Sequence, residues 1–192
     1  MSTAAATSAR PGEVLADLLP ASRVRDIALV VGGAALTGLA AQLAVPVPGS
    51  PVPVTGQTFA ALLVGTTLGA SRGVASLALY ALVGLAGVPW FAGGTSGFGV
   101  SFGYILGMIL ATAAVGVLAR RGADRSMLRM AGTMLVGEAI IYAVGVPYLA
   151  ATAGLTFSAA LAAGFTPFLI GDALKAALAM GLLPTAWKLL KK

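Results

Sequence analysis

A chain of 192 residues with 58% hydrophobic and only 9% charged side chains departs from soluble composition, in which roughly a quarter of residues carry charge. Its mean hydropathy of +0.96 implies more apolar surface than one globular core of this length can hide, so the natural solvent is a bilayer. The absence of Cys and His excludes disulfide scaffolds, thiol nucleophiles, Ser-His-Asp triads and the usual zinc sites.

Residues 1–25 read as a mixed polar and apolar tail (Arg10, Pro11, Glu13, Asp17, Pro20, Arg23, Arg25) without the apolar run of a signal peptide. The membrane domain is read as 26–192. Six apolar segments follow, about 27–45, 57–70, 73–88, 102–119, 130–149 and 166–187. A spanning helix needs roughly 20 residues, so the second and third are short and are expected to be tilted, broken or partly re-entrant. The expected fold is an all-α integral membrane protein of six transmembrane helices.

Positive charge sets the expected orientation, because Lys and Arg flanking a span stay on the cytoplasmic side. Arg10, Arg23 and Arg25 lie in the tail, Arg72 in the second connection, Arg120, Arg121, Arg125 and Arg129 around the fourth, and Lys188, Lys191 and Lys192 at the C-terminus. The first, third and fifth connections (46–56, 89–101, 150–165) carry none. This asymmetry fits six spans with both termini inside, and it makes the sequence pI of about 10.2 a topology signal rather than a nucleic-acid footprint.

The outward connections VPVPGSPVPVTGQT and GVPWFAGGTSGFG are uncharged, rich in Pro and Gly, and carry Trp90, Phe91 and Phe98. Such segments can fold back as ordered caps over a pocket; plain turn chemistry with an interfacial aromatic belt also accounts for them. The glycine run 93–99 lacks a Walker lysine and a flanking strand, which argues against a phosphate loop. Small residues at four-residue spacing in the first segment (Ala34 and Gly38, Ala40 and Ala44) permit close helix approach, although an Ala- and Gly-rich chain places such pairs by chance.

Only Glu138, Asp172 and Lys175 place charge inside the expected spans, where ionisable groups are costly and need a reason. Asp172 and Lys175 are three apart and share a helical face. From a start near Thr166 they would sit roughly 9–14 Å below the outer boundary, the depth of an outward-opening pocket. The two can neutralise each other, or address different ends of a polar ligand, Asp accepting from N–H groups and Lys donating to a carboxylate. Glu138, with Tyr142 at i+4 on the same face, lies within roughly 6 Å of Lys175 along the membrane normal. It is expected either to pair with that lysine or to be protonated.

PVPVTGQTF at the start of the second span, GVPWFAGGTSGFG after the third and PFLIGDALKAAL in the sixth together resemble the BioY family, the biotin-specific substrate-binding (S) components of energy-coupling factor (ECF) transporters. The resemblance runs from about Asp26 to Leu183. It implies a bundle that captures biotin near the outer face of the cell membrane and works with a transmembrane coupling protein and a cytoplasmic ATPase pair. Biotin is then the transported ligand, with no catalytic cofactor. Asp172 and Lys175 match the family's paired binding residues for the ureido ring and valerate carboxylate, with the assignment of ends open. Thr55 and Gln57, and Trp90, Phe91, Gly93 and Gly94, match loops that close over the ligand, and Tyr142 and Glu138 complete the expected site.

Two departures stand out. Many relatives have a longer stretch with a Pro-Thr-Gly-Gly turn before the fourth helix, whereas here Ser101-Phe102-Gly103-Tyr104 follows almost at once; and with no Asn in the chain, an amide contact must come from Gln57 or the backbone. Without a Walker lysine motif the chain cannot hydrolyse ATP. It is therefore expected to be a capture subunit of a primary transporter or, as the alternative, a self-sufficient proton-coupled transporter of a small carboxylate-bearing vitamin using Glu138, Asp172 and Lys175. An enzyme lacks a nucleophile and base set.

Overall fold

The computed structural model describes residues 12–190, so Arg10, Pro11, Lys191 and Lys192 lie outside the described residues. After a short 3₁₀ turn at Leu15–Leu18, the helices are α1 (Arg23–Gln42), α2 (Gln57–Leu68), α3 (Ala70–Leu85), α4 (Phe102–Arg120), α5 (Met127–Ala153), α6 (Phe157–Gly164) and α7 (Leu169–Leu190). A two-residue ribbon, β1 (Ala44–Val45) against β2 (Val54–Thr55), is antiparallel with Ala44 opposite Thr55.

Helix boundaries follow local chemistry. Ser22, Ser126 and Thr156 cap α1, α5 and α6 by accepting the amide N–H three residues on. The second and third apolar segments are short because Gly69, at φ +81°, breaks what would be one helix into α2 and α3. The connection read as 150–165 is largely helical instead. α5 runs on to Ala153 and ends at left-handed Gly154, and the Thr156 cap starts α6 in the Ala-rich run FSAALAAG. The last membrane segment therefore comprises α6, a 3₁₀ turn at Thr166–Phe168 and α7.

Among the described residues, four helical stretches are long and apolar enough to cross a membrane: α1, α4, α5 and the α6–α7 unit Phe157–Leu190; α2 and α3 are shorter apolar helices. α4 and α5 form the central pair. A Cβ at Gly107 would stand 2.8 Å from the Ile141 backbone, a contact that only glycine permits. Leu62, Leu77, Tyr80, Met130, Met134, Ile141 and Leu149 fill the core between α2, α3, α4 and α5. Leucines 174, 178 and 182 leave the outer face of α7 exposed, as do Val24, Ile27, Val31 and Leu39 on α1, the pattern of lipid-facing helices.

The two ends of the bundle are chemically distinct. At one, Arg72 bonds Asp17 and Asp26 at 2.7 and 3.0 Å, and Arg120 reaches Asp17 at 3.2 Å. At the other, Pro48, Gly49 and Ser50 of the uncharged first loop line one open cleft with Ala159 and Ala163 of α6.

Candidate functional site

Four side chains from three helices form a polar chain within the bundle. The Tyr142 hydroxyl (α5) donates to Asp172 Oδ2 (α7), while Lys175 Nζ donates to Asp172 Oδ1 at 3.1 Å and to Thr58 Oγ1 (α2) at 2.8 Å. One turn separates Asp172 from Lys175, so a single helix presents both charges on one face, and α2 and α5 supply one hydroxyl each. Asp172 is only 8% exposed. With both its oxygens bonded and two partners on the ammonium, the pair meets the condition under which buried charges are tolerable.

This chain separates two cavities. The first, of only about 30 Å³, lies between the loop end and the polar chain, lined by Thr55, Gln57, Thr58, Tyr104, Tyr142 and Lys175 with Val52, Pro53, Met108 and Phe168 as apolar wall. The second, of about 440 Å³, opens between α5 and α7, lined by Glu138, Tyr142, Asp172, Phe165, Leu169 and Ala176. A few polar groups in an otherwise apolar concavity is the usual make-up of a small-molecule site.

The expected residues divide between these surroundings. Thr55, Gln57, Tyr142 and Lys175 line the first cavity; Asp172 and Glu138 line the second, which Tyr142 shares. Gln57 Nε2 donates to the Tyr80 hydroxyl at 3.0 Å, and Thr55 Oγ1 accepts from the Gln57 amide at 3.2 Å, which fixes the start of α2. Glu138 makes no pair with Lys175, whose bonds go to Thr58 and Asp172; both Glu138 carboxyl oxygens are buried without a hydrogen-bond partner. The axial offset estimated from sequence left out the lateral direction, and the lysine follows its own helix and α2 rather than α5.

Trp90 and Phe91 stand apart from both cavities. The Trp90 indole donates to the Tyr80 carbonyl at 3.0 Å and rests against Gly38, and Phe91 is buried edge-on to Tyr80 at 5.2 Å between ring centroids. Gly93 and Gly94, both at positive φ, shape the 3₁₀ turn Ala92–Gly94 that aims this loop, and its Ala92 reaches the first cavity. Sequence reasoning missed Thr58, Tyr104 and Gln42. Thr58 follows Gln57 directly. Tyr104 sits in the first turn of α4, its hydroxyl donating to the Gly164 carbonyl at 2.8 Å, and Gln42 Nε2 ties the end of α1 to the Trp90 carbonyl at 3.0 Å.

Apolar helices around a small, partly polar cavity, with the arginines gathered at one end and Glu138, Asp172 and Lys175 within the bundle, define a polytopic membrane protein. The chain matches the BioY family over residues 10–192 and belongs to it. Among similar proteins, Biotin transporter BioY2 of Lactococcus lactis subsp. cremoris is 34% identical over 160 residues, 82% of this chain and 87% of that protein. Probable biotin transporter BioY of Pyrococcus horikoshii is 35% identical over 162 residues, 82% of this chain and 93% of that protein. The fold is that of a crystal structure of the S-component for biotin from an ECF-type ABC transporter, with a TM-score of 0.77, 20% identity, and coverage of 88% of this chain and 95% of that one.

Proposed function

We propose that this chain binds biotin from outside the cytoplasmic membrane and serves its uptake as the substrate-binding subunit of an ECF-type transporter, not as an enzyme. The observation that carries the reading is the Thr58–Lys175–Asp172–Tyr142 chain beside a small cavity in a BioY-family bundle. Biotin offers ureido N–H donors for Asp172 and a carboxylate for a cation, and its apolar body suits the wall formed by Met108 and Phe168. Gln57, Thr55, Tyr142 and Glu138 are proposed to complete the contacts, with Trp90, Phe91, Gly93 and Gly94 shaping the loop over them. Six spans are proposed, with α6 and α7 as the outer and inner parts of the last and both termini cytoplasmic. Work against a gradient would then come from a membrane coupling protein and an ATPase pair.

Biotin binding to the detergent-purified chain, read by isothermal calorimetry, tests the capture function; no heat at micromolar protein and ligand would overturn it. Uptake in cells separates the energy sources. Loss of accumulation when ATPase subunits are absent supports the ECF partnership, whereas full accumulation without them and its collapse with the proton gradient would assign a self-sufficient proton-coupled transporter.

A further inference from the structure

Gln57, at the start of α2, ends a series of hydrogen bonds that crosses three helices and the third loop. Gln42 Nε2, at the end of α1, donates to the carbonyls of Trp90 and Phe91 at 3.0 and 3.3 Å. The Tyr80 hydroxyl on α3 donates to the same Trp90 carbonyl at 3.3 Å and accepts from Gln57 Nε2 at 3.0 Å. The Trp90 indole returns a bond to the Tyr80 carbonyl, and the rings of Trp90 and Phe91 lie 5.1 and 5.2 Å from that of Tyr80. Tyr80 therefore has no room to turn.

The direction of these bonds carries chemical information. A tyrosine hydroxyl has one proton, and with that proton on the Trp90 carbonyl its oxygen offers Gln57 only lone pairs. The Gln57 carboxamide must then face Tyr80 with its NH₂ group. The reverse orientation would set two acceptors against each other between buried side chains, where an unmade hydrogen bond is costly. Gln57 Oε1 is left without a protein partner among the described residues, on a side chain that lines the first cavity. Among the described residues no carboxylate lines that cavity, so this amide oxygen is the strongest side-chain acceptor in its wall.

We propose that Tyr80 is a positioning residue that turns the Gln57 carbonyl oxygen toward the first cavity, so that Gln57 accepts from a ligand N–H group and does not donate to a ligand carbonyl. For the ligand, the proposal rests on the preceding reading: the ureido ring of biotin has two N–H groups, of which Gln57 receives one and Asp172 the other. The third loop, through the Trp90 carbonyl, thus sets which end of a carboxamide the ligand meets.

The chain has two Gln and no Asn, so its side-chain amide ¹⁵N spectrum in detergent holds two NH₂ pairs, and Gln57→Leu identifies the pair of Gln57. Without ligand, Tyr80→Phe should speed exchange of that pair with water by about tenfold and leave the Gln42 pair nearly unchanged. Exchange of the Gln57 pair that is indifferent to Tyr80→Phe would overturn the positioning role. In biotin binding, Tyr80→Phe and Gln57→Leu should each cost about tenfold, and the double variant should bind no more weakly than Gln57→Leu alone. Losses that multiply would show Tyr80 acting by another route. The direction is read with 2-thiobiotin, whose sulfur is a poorer acceptor than the ureido oxygen and whose N–H groups are better donors. Gln57→Leu should cost this analogue at least the factor it costs biotin, and a markedly smaller factor would mean that Gln57 donates to the ligand carbonyl. The analogue comparison needs no Tyr80 variant and so holds even if Tyr80→Phe misfolds. If the unmodified chain binds neither ligand, the functional reading falls and with it the N–H contact, while amide exchange still decides whether Tyr80 holds Gln57.

Discussion

Lys175 Nζ lies 2.8 Å from Thr58 Oγ1, a contact that ties α7 to the first turn of α2, two helices that otherwise meet sparsely. Because the same ammonium also donates to Asp172, Thr58 determines how much of its hydrogen-bonding capacity remains turned toward the first cavity. Thr58 adjoins Gln57, whose carboxamide is fixed by Tyr80, so the loop-proximal start of α2 positions two cavity-lining groups at once.

Thr58→Val keeps the shape and removes the acceptor. The ammonium then falls back on Asp172, and the loss of one hydrogen bond to a charged group should weaken biotin binding about tenfold, or roughly 1.4 kcal/mol. Thr58→Ser retains the hydroxyl and should bind within about threefold of the parent. Equal affinity for the valine and serine variants would show that the hydroxyl has no part in placing Lys175.

At the opposite end, Asp124 is completely buried in the α4–α5 turn, with Trp187 Nε1 on one oxygen. Burial raises its pKa, and the indole hydrogen bond and the neighbouring Arg125 lower it only partly. An acid with a raised folded pKa holds its proton where the unfolded chain has lost it. Its contribution to stability is therefore complete below the unfolded value of about 3.8 and declines as pH rises through the folded value. Asp124→Asn keeps an acceptor for the indole without the charge. Thermal unfolding in detergent should show the variant melting higher than the parent at pH 7–8 and the gap shrinking toward pH 4. A gap that is constant with pH would remove Asp124 as its source.

The charge pattern was legible in the sequence because bilayer sorting acts on each Lys and Arg separately. The same pattern hid what Arg72, Arg120 and Arg125 touch, since their partners, Asp17 and the carbonyls of Gly12 and Glu13, come from a segment read as a tail. Asp172 and Lys175 stood out because a charge in an apolar run is conspicuous. Thr58 and Tyr104 did not, because a hydroxyl in a membrane helix usually satisfies a carbonyl within its own helix, as Thr66 and Thr67 do here. Only the placement of α2 against α7 distinguishes Thr58. The helix α6 was hidden for a different reason: eight residues between a turn and a proline are too few to carry a periodic signal.

Trp90 supports its loop from within the bundle, through its indole bond to Tyr80 and its packing on Gly38. Trp90→Ala should therefore lower thermal stability by about 3 kcal/mol, in the range for large-to-small core changes, and weaken biotin binding indirectly through the Tyr80–Gln57 contact. Trp90→Phe, which keeps the ring bulk, should recover most of the stability. A Trp90→Ala variant as stable as the parent would instead mark the side chain as a dispensable interfacial aromatic.

Orientation is tested by single cysteines at exposed positions on the two ends. Those replacing Pro51, Thr95 and Thr156 should react with an impermeant maleimide in intact cells, and those replacing Arg121 and Met127 only after permeabilisation. Position 124, though on the same turn, is too buried to report. Labelling of position 121 from outside would reverse the assignment of sides.

The ion pair poses the sharpest question, because mutual neutralisation and ligand reading require the same geometry. Removing one member leaves a buried, unpaired charge costing roughly 3–5 kcal/mol, so Asp172→Asn or Lys175→Met alone should lower expression and thermal stability whatever the pair does. Replacing both removes the imbalance, and exchange of a buried pair for neutral groups is often close to neutral. Tyr142 retains a partner there, since the carboxamide oxygen introduced by Asp172→Asn can accept from the tyrosine hydroxyl. The double variant should thus recover the parent's melting temperature to within a few degrees. Biotin binding should stay lost by at least a hundredfold, because the ligand's carboxylate then has no cation and its N–H groups no carboxylate. Near-parental affinity in the stable double variant would show that the pair only locks α7, and that biotin is read by Gln57, Tyr104 and the loop backbone.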